Sequence, residues 1–124
     1  MWLSEKSALA GIEREGLADY GKVTIGGKNP AVTTDGEHRG PVILSPGGIS
    51  WLPAAGQEAV LLRCTDGTEV ILGCAQSGAP ENMLPGEVYI NSGTASMRIG
   101  ADGRISIMGA VDIIGGLTVN GKTV

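Results

Sequence analysis

From Gly86 to the final Val124 the chain repeats one small pattern five times: apolar, any residue, apolar. The copies are Val88-Tyr89-Ile90, Met97-Arg98-Ile99, Ile105-Ser106-Ile107, Val111-Asp112-Ile113 and Leu117-Thr118-Val119. Side chains alternate across a strand, so both apolar residues of a copy face one way and the middle residue the other. The middle residues are Tyr89, Arg98, Ser106, Asp112 and Thr118, all able to meet water. Copies begin 9, 8, 6 and 6 residues apart, and glycines punctuate the gaps. The segment predicts five short strands, each with a dry face and a wet face.

Ten such side chains stabilise by roughly 15–30 kcal/mol if fully buried, at ~1.5–3 each. A single-chain β-helix uses about three strands per coil, and repeat folds need ~3 units to be stable. Five strands fall short of two coils. Three identical chains solve the problem, each supplying one side of a triangular prism whose apolar faces meet on the axis. Closure also removes open strand edges. The expected axis core is Val88, Ile90, Met97, Ile99, Ile105, Ile107, Val111, Ile113, Leu117 and Val119. With rungs ~4.8 Å apart, five copies stack to roughly 20–25 Å. Two other arrangements remain open: a meander packed on the chain's own N-terminal part, and a left-handed helix of hexapeptides, whose period only the last three copies keep.

The preceding residues read differently. Residues 1–18 form an arm, with Leu3, Leu9, Ile12 and Leu17 at spacings that allow a short helical turn, weakened by Gly11 and Gly16. Over 19–77 the stretches YGKVTIG, AVTTD, GPVILS, QEAVLLRC and EVILGC predict five strands with no helical period between them. That pattern fits an OB-like antiparallel barrel. Asp66-Gly67 is expected to turn the last hairpin as a two-residue loop, placing Cys64 opposite Glu69 and Cys74 opposite Ala59. The two cysteines would then not meet, and both are expected reduced and buried in strands. Residues 78–86 are a connector, in which Asn82-Met83-Leu84 allows a single turn, and 87–124 is the stem. The fold class expected is all-β: an N-terminal OB-like barrel followed by an intertwined trimeric β-helix or β-prism.

Composition narrows function. Glycine supplies 21 of 124 residues without a collagen period, as many short strands with tight turns require. Net charge is −4, and the nine Lys and Arg are scattered, which disfavours a nucleic-acid partner. The start MWLSEKSALAGIEREG lacks the pattern of a signal peptide, so synthesis and assembly in the cytoplasm are expected.

The stretch VILSPGGISWLPAAGQEAVLLRCTDGTEVILGC (42–74), followed by a stem that closes on GGLTVNG, resembles the central spike proteins of contractile phage tail baseplates and their relatives in tailocins and other contractile injection systems. The resemblance covers about residues 20–124. It implies a homotrimer with a collar of barrels under the tail tube or its hub. The stem would point at the host, to puncture or engage its envelope transiently on contraction. It places the protein at the baseplate centre of a virion or tailocin. It also implies that Trp51, Leu52 and Pro53 help shape packing between subunits, although a core role for Trp51 fits equally. Several family members end in a His-X-His pair that holds a metal at the apex. Here the only histidine is His38, in an expected barrel turn, and NGKTV offers no ligands, so no metal and no other cofactor is expected. The last rung then needs a separate tip protein, or a fold-back of Lys122–Val124, to cover it.

No enzyme is expected. His38 lacks an evident nucleophile or orienting partner in the sequence. Cys64 and Cys74 with one distant histidine do not make a zinc site. IGGKNP lacks the spacing of a phosphate loop. Asp66 and Glu69 sit at a hairpin, where solvated carboxylates are the rule. Two alternatives to the spike stand: a trimeric OB-fold ligand-binding module and a short receptor-binding tail fibre. Both call for exposed aromatics, and the strands offer little beyond Tyr20 and Tyr89.

Overall fold

A computed structural model describes residues 17–124. The helical turn expected around Leu3, Leu9 and Ile12 lies outside these residues. The described residues are all-β, without a helix, and their contacts divide into two compact units between Gln76 and Ser77.

The first unit is one curled sheet, a half-barrel of six strands. They are β1 (Ala18–Ile25), β2 (Ala31–Thr33), β3 (Glu37–Arg39), β4 (Val42–Ile43), β5 (Glu58–Arg63) and β6 (Glu69–Cys74), in the order β3-β2-β1-β5-β6-β4. All pairs are antiparallel except β4 with β6, which is parallel. The expected all-antiparallel barrel is corrected at that edge. The cause is local. Only Gly40 and Pro41 separate β3 from β4, so the chain that ends the β2 edge bends and lands beside β6.

The core is small and aliphatic: Val23, Ala31, Val32, Ala59, Leu61, Val70 and Ile71 are buried, and Trp51 and Cys74 pack against it. Ala31 with Val32, and Val70 with Ile71, are buried neighbours. Successive strand residues face opposite ways, so β2 and β6 are covered on both sides. Period-two alternation alone would put Ile25 on the face of the buried Val23, but the register of β1 shifts between them and Ile25 is exposed. The β5–β6 turn also differs from expectation. Gly67 N–H donates to Cys64 C=O at 2.9 Å and Cys64 N–H to Thr68 C=O at 2.8 Å, so the loop is longer than two residues. Arg63, not Cys64, stands opposite Glu69. A register shift between Ala59 and Leu61 then restores Ala59 opposite Cys74. Cys64 therefore lies exposed outside the strand, whereas Cys74 is half-buried; both are free thiols.

The second unit opens with two turns, Met83 N–H to Pro80 C=O at 3.1 Å and Glu87 N–H to Leu84 C=O at 3.1 Å. Three antiparallel strands follow: β7 (Val88–Asn91), β8 (Ser96–Ile99) and β9 (Ile105–Met108). A last hairpin joins β10 (Thr118–Val119) to β11 (Lys122–Thr123). Its turn is Asn120-Gly121, with φ of 51° and 78°, the left-handed pair that a tight hairpin needs. The expected strand at Val111–Ile113 makes no ladder within the chain. The fold-back of Lys122–Val124 is present as β11, with Val124 N–H donating to Leu117 C=O at 3.0 Å.

Candidate functional site

Register builds the candidate surface. Val88 stands opposite Ile99, and Ile99 opposite Ile105; Ile90 stands opposite Met97, and Met97 opposite Ile107. Residues directly opposite share a face of the sheet. Six apolar side chains thus form two rows of three on one side. Tyr89, Arg98 and Ser106 make a matching row on the other side. Val111, Ile113, Leu117 and Val119 carry the apolar pattern onward outside this sheet. None of the ten is buried in the single chain: Met97 is half-buried and the rest are exposed, from Leu117 at 39% to Ile105 at 61%. Although β11 folds back, Leu117 and Val119 stay exposed.

The polar side of the same sheet is tied down by Glu87. Its carboxylate accepts from Leu84 N–H at 2.9 Å, from Ala101 N–H at 2.8 Å and from Arg98 Nη2 at 2.7 Å. Arg98 also donates to Asn82 Oδ1 and to Asn82 C=O, both at 3.2 Å. The Leu84 N–H, the Arg98 guanidinium and the Ala101 N–H together hold the Glu87 carboxyl down at about 2. The Glu87 side chain is 6% exposed. The cavity of about 350 Å³ beside it is lined by Asn82, Leu84, Glu87 and Arg98 with Asp102, Arg104 and Ser106. Glu87 and Arg98 are spent on each other and on backbone, so this cluster joins connector, β8 and the β8–β9 turn. Sequence reasoning missed it because Glu87 and its partners are brought together only by the folded turns; the Pro85-Gly86 pair just before Glu87 was the available signal.

In the half-barrel, His38 was expected in a solvated turn and lies instead on β3, its side chain 17% exposed. Its Nδ1 is 2.8 Å from Glu69 Oε2, and its Nε2 is 3.0 Å from Thr34 Oγ1 and 3.4 Å from Asp35 Oδ1. Glu69, expected to be solvated, also lies 3.5 Å from Arg63 Nε. The alternation of Glu37-His38-Arg39 after the Asp35-Gly36 turn was the overlooked strand signal. Of the Trp-Leu-Pro step, Trp51 packs against the core, Pro53 is buried and Leu52 is exposed. Among the described residues no cluster of three or more His, Cys, Asp or Glu could hold a metal ion.

The chain matches no protein-family model, and no curated protein is significantly similar to it.

Proposed function

We propose that this is a non-enzymatic structural protein: the homotrimeric spike at the centre of a contractile-tail baseplate, in a phage, a tailocin or a related injection system. The observation that carries the proposal is the paired row of apolar side chains on β7, β8 and β9, uncovered in one chain and continued by four more apolar residues toward the C-terminus. A threefold axis lets three such faces cover one another with a single, self-consistent interface. Val88, Ile90, Met97, Ile99, Ile105, Ile107, Val111, Ile113, Leu117 and Val119 would then pack on the axis of an intertwined β-prism. The half-barrel supports an OB-like collar, through its strand order and the bend at Gly40-Pro41 that brings β4 alongside β6.

In this role the work is mechanical. Backbone ladders give stiffness along the stem, and a dry axis resists shear between chains. The collar would meet the tail tube or hub, and the stem the host envelope during contraction. A separate tip protein would cover Leu117 and Val119, which the fold-back leaves exposed. No cofactor and no nucleic acid enters the mechanism. Electron microscopy of the parent particle tests the role. The expected result is threefold density for this chain on the baseplate axis below the tube; placement off the axis, or in another part of the particle, would overturn it.

A further inference from the structure

We propose that His38 is a protonated clasp that ties β3 to β6 beside the β4–β6 ladder and slackens as pH rises, which makes the anchoring of β3 pH-sensitive. The clasp does not depend on the spike role. In the sheet order β3 stands four strands from β6, so no ladder joins them. The backbone tie to β6 comes two residues further on, through β4, which pairs Val42 with Val70 and Ile43 with Ile71; β3 itself reaches β6 through the side-chain contact from His38 Nδ1 to Glu69 Oε2 at 2.8 Å.

The proton count favours the charged ring, although the 82% exposed Asp35 can also take a hydrogen bond from water. The ionised Glu69 carboxylate only accepts, so Nδ1 carries a hydrogen. Nε2 lies 3.0 Å from Thr34 Oγ1, and that hydroxyl lies 2.9 Å from Asp35 Oδ1. Thr34 has one hydroxyl hydrogen. With a neutral imidazole, that hydrogen serves either Nε2 or Asp35, and the other contact is left without one. With an imidazolium, Nε2–H donates to Thr34 Oγ1 and the Thr34 hydroxyl donates to Asp35, so every contact is filled.

The surrounding charges favour the same state. Asp35, in the β2–β3 turn, and Glu69, on β6, both face the ring. Behind Glu69 stands the cation Arg63 of β5, which is shared with Asp19 of β1, whose Oδ2 lies 3.3 Å from Arg63 Nη2. Burial opposes the charge on His38, but the hydrogen bonds to Glu69 and Asp35 outweigh it and raise the ring above its ordinary 6.5. A group raised on folding stabilises fully below 6.5 and loses that contribution as pH rises through its folded value.

The chain has one histidine, so ring-proton NMR of the full-length protein reads His38 alone. The expected midpoint lies above 6.5 in the unmutated protein and falls in Glu69→Gln and in Asp35→Asn. Amide exchange in β3, corrected for the intrinsic rate, rises as pH passes the midpoint. A midpoint at or below 6.5 in the unmutated protein overturns the proposal. So does a midpoint that Asp35→Asn leaves in place; Asp35 is 82% exposed, so this variant keeps the fold even if Glu69→Gln does not.

Discussion

Met97 of β8 stands directly opposite Ile107 of β9, and both side chains lie on the apolar face of the three-stranded sheet. Ile107 is 59% exposed in one chain, so an aspartate there is harmless to a monomer. In a closed trimer, Ile107→Asp brings three like charges to the axis without partners, at several kcal/mol per ion. The expected outcome is loss of the trimer and a large fall in melting temperature by calorimetry. An unchanged melting temperature contradicts an inward-facing Ile107. Ile107→Val is the matched control, expected to cost about 0.5–1.5 kcal/mol per chain.

Glu87 predicts an acid transition. Its folded pKa of about 2 lies below the 4.5 of an ordinary glutamate. Its stabilisation is therefore full above 4.5 and is lost as pH falls through about 2. Glu87→Gln should be less stable than the unmutated protein at neutral pH, with the gap narrowing from 4.5 downward. Denaturant unfolding across that range measures it; a gap that stays constant with pH counts against the ion pair with Arg98.

Gly21 sits where β1 and β2 approach closely. A Cβ there would lie 2.6 Å from Thr33 O and 2.7 Å from Thr34 Cγ2. Gly21→Ala forces the strands apart, and about 1–3 kcal/mol of destabilisation is expected from overpacking. Gly36→Ala, with nothing within 4 Å of the added atom, is expected to stay within about 0.5 kcal/mol. Equal effects of the two substitutions in urea unfolding would contradict the close approach.

The thiols should differ. Cys64 is exposed, and Cys74 is half-buried, with desolvation pushing its thiol upward. The thiolate is the reactive form. A chromogenic disulfide reagent should label one thiol per chain quickly under native conditions, and Cys64→Ser should remove that phase. Two equally fast phases contradict the placement of Cys74.

Strand positions were legible wherever alternation and turn residues coincide, as at Val88–Ile90 between Gly86 and Gly93, or at Glu69–Cys74 after Asp66-Gly67. Pairing was less legible. The parallel β4–β6 contact depends on the bend at Gly40-Pro41, and nothing in residues 40–45 taken alone distinguishes a parallel neighbour from an antiparallel one. The shift that exposes Ile25 is invisible to a period-two pattern, because a bulge adds a residue without changing composition. Val111-Asp112-Ile113 has a strand pattern and no ladder in one chain, since pattern reports which faces want cover and not where the covering strand comes from. His38 with Glu69, and Glu87 with Arg98, join residues 31 and 11 apart in sequence, and only the folded strands bring them together.

The central claim is that one chain cannot cover its own apolar C-terminal face and three chains do. Light scattering coupled to size-exclusion chromatography in native buffer tests it most directly. The account predicts about 38 kDa, three times the 12.6 kDa chain. A mass of 12.6 kDa, independent of concentration, would contradict it.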